Sequence, residues 1–171
     1  MWIKEEIDTN ISSNVYKKIK NKDINIEIIS IIQNKFNIDI NIDNDYQIIK
    51  NSDNFLWIGR GFPYRWIMVS SIKKSNLNYW NSYEENLYKN TNGIIISNYY
   101  RSNKNNYKYN ILRGIYEHEE SDTGGPFFVY VFDNKSDNEV ILVSGFVNNP
   151  GKEKYLLLKE LEVIIENIKR K

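Results

Sequence analysis

The feature that most constrains this chain lies at its end. After Pro150, from about residue 152 to 169, Leu157, Leu161, Ile164, Ile165 and Ile168 recur on one helical face. Lys159, Glu162, Glu166 and Lys169 lie largely off that face. At ~1.5 Å per residue such a helix is about 27 Å long, enough to lie across a sheet. A fold that accepts it must present a broad apolar surface.

The rest of the chain supplies strands for that surface. Phe36–Ile42 alternates apolar and polar residues strictly, the pattern of a half-buried strand. Asp43–Asp45 reads as a turn, and Tyr46–Lys50 as a short strand. Phe55–Arg60 and Tyr64–Ile72 follow, joined across Gly61-Phe62-Pro63. Tyr107–Glu117, Phe127–Asp133 and Glu139–Val147 read as three more strands, the last two joined by Asn134–Asn138. Residues from about 10 to 35 are predicted helical, with Asn10 or Ser12 as cap and a break at Asn21–Asn25. Tyr79–Tyr88 fits a middle helix, and Ser97–Asn106 reads as a surface loop. The expectation is one α+β domain over residues 1–171: a helical segment to residue 35, then an antiparallel sheet of about six to seven strands. N-terminal, middle and C-terminal helices cover it.

Composition excludes several functions. There are no cysteines, so disulfides, thiolate metal sites and a cysteine nucleophile are absent. The charge balance, 23 basic against 22 acidic residues, argues against a dedicated nucleic-acid binder. No apolar run approaches the ~20 residues that span a bilayer. Met1-Trp2-Ile3-Lys4-Glu5-Glu6 places acidic residues where a signal peptide needs an apolar stretch, which predicts a cytoplasmic chain. The chain has no alanine and is crowded with Asn, Ile, Lys and Tyr, as an AT-rich genome would produce.

Several segments carry a resemblance. These are Phe36–Tyr46, Asn54-Phe55-Leu56-Trp57-Ile58-Gly59-Arg60, Arg113-Gly114-Ile115-Tyr116-Glu117, Asp122-Thr123-Gly124-Gly125-Pro126-Phe127 and Gly145-Phe146-Val147-Asn148-Asn149-Pro150, followed by a helix containing Leu161-Glu162. From about Ile28 onward the chain resembles the C-terminal half of a family of bacterial predicted lipoproteins, domain of unknown function 4837. The resemblance implies an envelope location. Its activity being unassigned, it carries over no catalytic residue. Where the family has Trp before Glu117, this chain has Tyr116. The order of elements is also similar to that of PsbP-like domains, an analogy of fold that specifies no function.

Four groups are candidates for chemistry. Glu117-His118-Glu119-Glu120 with Asp122 brings an imidazole among carboxylates, the groups of a divalent-metal or acid–base site. On a strand, however, alternate side chains point to opposite faces, and no H-E-x-x-H spacing is present. With one histidine, a hydrolase triad must use His118, and Ser144 before Gly145 sits in a strand pattern without a nucleophile elbow. Gly124-Gly125-Pro126 reads as a tight turn or bulge with positive φ. Tyr99, Tyr100, Arg101, Lys104, Tyr107, Lys108, Tyr109 and Arg113 interleave aromatic and basic residues, as a weak single-strand binder would.

The last group is aromatic: Trp57, Tyr64, Trp66, Tyr79, Trp80 and Tyr83. They read either as core and core rim or as an exposed surface for a partner. With Arg113, Tyr116 and Glu117 from the family-like segment, the candidate binding surface is Trp57, Tyr64, Trp66, Trp80, Arg113, Tyr116 and Glu117. The reading that follows is a non-catalytic binding or scaffold domain with a protein or small-molecule partner and neither cofactor nor metal. A hydrolase or metal-dependent enzyme at His118, or weak nucleic-acid binding through Tyr99–Arg113, is the alternative.

Overall fold

The structure, a computed structural model, describes residues 2–74, 78–102, 110–133 and 138–170. In chain order its elements are α1 (Trp2–Lys20), α2 (Ile26–Phe36), β1 (Ile38–Asp39), β2 (Gln47–Ser52), β3 (Phe55–Arg60), β4 (Tyr64–Lys73), α3 (Tyr79–Thr91), β5 (Ile94–Ser102), β6 (Asn110–His118), β7 (Ser121–Asp133), β8 (Glu139–Asn148), α4 (Tyr155–Glu166) and β9 (Lys169–Arg170). Seven strands form one antiparallel sheet in the order β2-β3-β4-β8-β7-β6-β5, and β1 pairs with β9 apart from it. This is the α+β architecture expected.

Asparagine makes the helix boundaries. The Asn25 side chain accepts from the Ile28 amide at 3.1 Å and starts α2, while Asn37 at φ 53 ends it by donating its N–H to Gln33. Asn78 accepts from the Trp80 and Asn81 amides to start α3, and Asn92 at φ 57 ends it. Asparagine suits both jobs, because its side chain caps amides and it tolerates the left-handed region.

The sheet carries a core on each face. Leu56, Ile58, Ile67, Val69, Phe128, Tyr130, Ile141 and Val143 meet Ile28, Ile32 and Phe36 of α2 and Leu161, Ile164 and Ile165 of α4. The other face gathers Phe55, Met68, Ile72, Val129, Leu142, Phe146, Leu112 and Tyr116 beneath Trp80, Tyr83 and Leu87 of α3. Strand alternation therefore sorts every sheet residue to one helix layer or the other.

Several expectations are corrected. The first helix begins at Trp2, so Asn10 and Ser12 lie inside it rather than at its start; the break at 21–25 is present. Phe36–Ile42 forms only the two-residue β1, yet Phe36, Ile38, Ile40 and Ile42 are all buried, so the alternation reported burial rather than a long ladder. The expected loop from Ser97 is strand β5 as far as Ser102, its polar residues standing on an open sheet edge; 103–109 and 134–137 lie outside the described residues. The helix ends at Glu166, before Lys169 enters β9. Lys159 and Glu162, expected off its apolar face, are buried, because they form ion pairs beneath it.

Gly124-Gly125-Pro126 is no turn. It lies within β7, and neither glycine has positive φ. A Cβ on Gly125 would collide with the Val147 carbonyl oxygen, and Tyr116 lies just beyond. The absent side chain lets the Tyr116 ring cross β7 towards β8, where its hydroxyl donates to the Val147 carbonyl at 3.4 Å.

Candidate binding surface

The seven candidate residues separate across the sheet. Trp57, Tyr64, Trp66 and Tyr116 belong to the α3 side, and Trp57, Trp66 and Tyr116 share its core cluster with Trp80 of α3. Arg113 belongs to the α4 side, paired with Glu162 beneath the helix, with its guanidinium 5.8 Å from the Phe128 ring centroid. Glu117, four residues further on β6, shares that strand parity and is exposed. One continuous surface holding all seven does not form. Adjacent strand positions such as Tyr116 and Glu117 point to opposite faces.

On the α3 side the aromatics form a chain of contacts. Phe62 meets Tyr64 edge-on at 5.8 Å, Tyr64 lies 6.3 Å from Trp66, and Trp66 meets Trp57 edge-on at 5.5 Å. Trp66 continues inward to Tyr116 at 6.1 Å, and Tyr116 meets Phe146 at 5.1 Å. The chain thus runs from solvent to core. Phe62 is 63% exposed and Tyr64 43%, Trp57 and Trp66 are half-buried, and Tyr116 is fully buried.

The ledge has a floor. Gly59 pairs with Trp66, and a Cβ there would come within 2.7 Å of the indole and 2.6 Å of the Ile49 side chain. Ile49, beside it at a register shift in β2, is itself 47% exposed. Helix α3 lies against the Ser71–Lys73 end of β4, whereas Tyr64 and Trp66 stand at its beginning. Trp80 is nearly buried, packing on Tyr83 at 5.2 Å and on Tyr99 at 4.8 Å, so it belongs to the α3 core and not to the exposed aromatics. Phe62 and Ile49 were absent from the sequence reading. An aromatic residue inside the Gly61-Phe62-Pro63 turn, where no core can receive it, was the legible sign of the first; Ile49 left none, since the register shift decides its side.

The His118 group does not converge. His118 Nδ1 accepts from the Glu120 amide at 3.2 Å, and Glu119 accepts from the Tyr88 hydroxyl. Among the described residues no three His, Asp or Glu side chains gather as a metal-ligand set. Ser144 donates to the Met68 carbonyl inside the core, away from His118. In the basic run, Tyr99 and Tyr100 alternate across β5, and Lys104, Tyr107, Lys108 and Tyr109 lie outside the described residues.

The α4 side holds a charged layer that the sequence did not announce. Arg60 and Arg65 stand opposite each other in the β3–β4 register. Glu160 of α4 pairs with both, at 3.4 Å from Arg60, and Asp43 and Asp45 hold Arg60 and Lys22 together at 2.7–3.4 Å. Like charges directly opposite on a sheet are destabilising unless neutralised, which is what these carboxylates do.

A family model described as a domain of unknown function, DUF4837, matches residues 68–167, more than half of the chain. The chain belongs to the DUF4837 family. The match takes in β4 from Met68, α3 and everything through α4, so Trp57, Phe62, Tyr64 and Trp66 lie just before the matched segment and Tyr116 lies within it. No curated protein matches the sequence significantly. Among solved structures, the Ran-binding protein Mog1p of Saccharomyces cerevisiae is similar in fold, with TM-score 0.50 and 11% identity over 78% of this chain and 89% of that one. A protein of Bacteroides thetaiotaomicron gives TM-score 0.47 and 12% identity over 79% of this chain and 45% of its own. The fold of this DUF4837 member is thus similar to that of Mog1p. Among the described residues, no helix is long and apolar enough to cross a membrane.

Proposed function

We propose that this domain is a non-catalytic binding module that docks a protein partner on the ledge of Phe62, Tyr64, Trp66 and Trp57. The observation that supports it is the exposure of Phe62 and Tyr64 on a chain of ring contacts anchored in the core. Rigid aromatic side chains supply large contact area at low entropic cost, and such residues dominate binding energy at interfaces. A protein suits the ledge better than a sugar. The floor beside the Trp66 indole is apolar, made by Ile49 against Gly59, while Asn148 stands opposite Tyr64 in the register. The fold shared with Mog1p argues for no partner by itself.

The test is a photo-crosslinking residue at position 62, with a second at the exposed Ile26 as control. The expected result is a discrete protein adduct from position 62 alone, lost in Trp66→Ala while circular dichroism is unchanged. Identical adducts from both positions would overturn the reading.

A further inference from the structure

We propose that the cleft between α1 and α4 binds a single-chain amphiphile with a carboxylate head. The cleft has a volume of about 470 Å³, within the usual range of small-molecule sites. Ile11 and Val15 of α1 form one apolar wall, and Leu156 and Leu157 of α4 the other. Leu156 is 58% exposed there, an apolar side chain that the fold leaves uncovered.

Polar side chains line the cleft beside those walls, Asn14 of α1 among them. Arg65 of β4, Glu160 of α4 and Lys18 of α1 are the charged ones. Arg65 is only 8% exposed, and Glu160 holds its Nη1. Its Nε, on another edge of the guanidinium fork, is buried and has no acceptor among the described residues. An unsatisfied buried donor on a charged group is costly, and a carboxylate is the acceptor that matches a guanidinium edge. Glu160 is shared with Arg60, so the cleft's own charges, two cations and one carboxylate, leave a positive surplus. Cationic side chains beside two aliphatic walls fit a fatty-acid-like molecule, head at Arg65 and chain between Val15 and Leu156.

This site is separate from the ledge. Arg65 and Trp66 are adjacent on β4 and therefore point to opposite faces of the sheet.

The experiment is isothermal titration calorimetry of the whole chain with monomeric decanoate, decanol and acetate. Decanoate is expected to bind once per chain, about tenfold or more tighter than decanol, with no saturable heat from acetate. Arg65→Met is expected to reduce decanoate to the affinity of decanol. Because that variant removes a buried charge, Val15→Trp on the outer helix provides a second check by filling the cleft and abolishing both. Phe62→Ser should leave decanoate binding unchanged. Absence of saturable decanoate binding, equal affinity for decanol, or full binding by Val15→Trp would each overturn the proposal.

Discussion

Arg60 of β3 lies directly opposite Arg65 of β4, and one carboxylate, Glu160, reaches both across the helix–sheet interface. Two like charges share a cross-strand position that sheets ordinarily avoid. Arg60 has Asp43 and Asp45 as further partners, whereas Arg65 has only Glu160 as an ion-pair partner among the described residues. Glu160→Ala should therefore cost about 2–3 kcal/mol in urea unfolding, somewhat below a fully buried pair because the groups retain some solvent. Arg65→Met with Glu160→Leu should recover most of it. A single substitution within about 0.5 kcal/mol of wild type would refute the neutralising role.

The second ionic contact predicts an asymmetry. Glu162 serves two cations, Arg113 and Lys159, both beneath α4. Glu162→Leu strands both and should cost about 3–5 kcal/mol, while Lys159→Met leaves Arg113 and Glu162 paired and should cost clearly less. Equal losses in denaturant titration would refute the asymmetry.

Glycine substitutions should divide by what a Cβ would meet. At Gly125 it meets the Val147 carbonyl and at Gly114 the Asn98 carbonyl, both rigid sheet backbone. Alanine at either site should destabilise by about 1–3 kcal/mol or more. At Gly61 a Cβ meets nothing within 4 Å, so alanine there should be neutral or stabilise by up to about 1 kcal/mol. The reverse order in thermal unfolding would contradict the packing of Tyr116 across β7.

Alkaline pH should weaken the fold. Burial pushes the hydroxyls of Tyr46, Tyr83, Tyr116 and Tyr130 well above the ordinary tyrosine range, with the carboxylates of Glu160 and Glu166 adding to it at Tyr46 and Tyr130. Above about pH 10 the unfolded chain loses protons that the folded one keeps. The stabilisation is thus complete below that pH and falls above it, by about 1.4 kcal/mol per pH unit for each tyrosine. The Tyr46 hydroxyl is buried without a partner among the described residues, so Tyr46→Phe should cost little at neutral pH and flatten the alkaline slope. An unchanged slope in urea midpoints measured from pH 9 to 11 would count against this account.

Trp80 and Phe62 should behave oppositely. Trp80 is packed in the α3 layer, so Trp80→Ala should cost about 3–5 kcal/mol of stability. Phe62→Ser should change stability by less than about 0.5 kcal/mol and, on the proposed function, abolish partner binding. A severe stability loss from Phe62→Ser would make the turn structural rather than a docking site.

Local patterns were sufficient for much of the architecture. Phe55–Arg60 reads as a strand in the sequence and is β3 without revision, because a short apolar and aromatic run between turns is a local signal. The apolar stripe from Leu157 to Ile168 likewise announced α4. For the site, the same patterns picked out Trp57, Tyr64 and Trp66 but grouped them with Arg113 and Glu117, which the sheet sends to the other side.

What only the tertiary structure decided depends on contacts distant in sequence. The pairing of Tyr64 with Asn148 sets β8 beside β4 and leaves β5 on an edge, which turns an expected loop into a strand. Whether Lys159 and Glu162 face water or lie buried depends on Arg113 arriving from β6 beneath α4. Composition and periodicity determine which residues need burial. Only the assembled sheet determines which partner each one meets, since side chains far apart in the chain meet only when their strands pair.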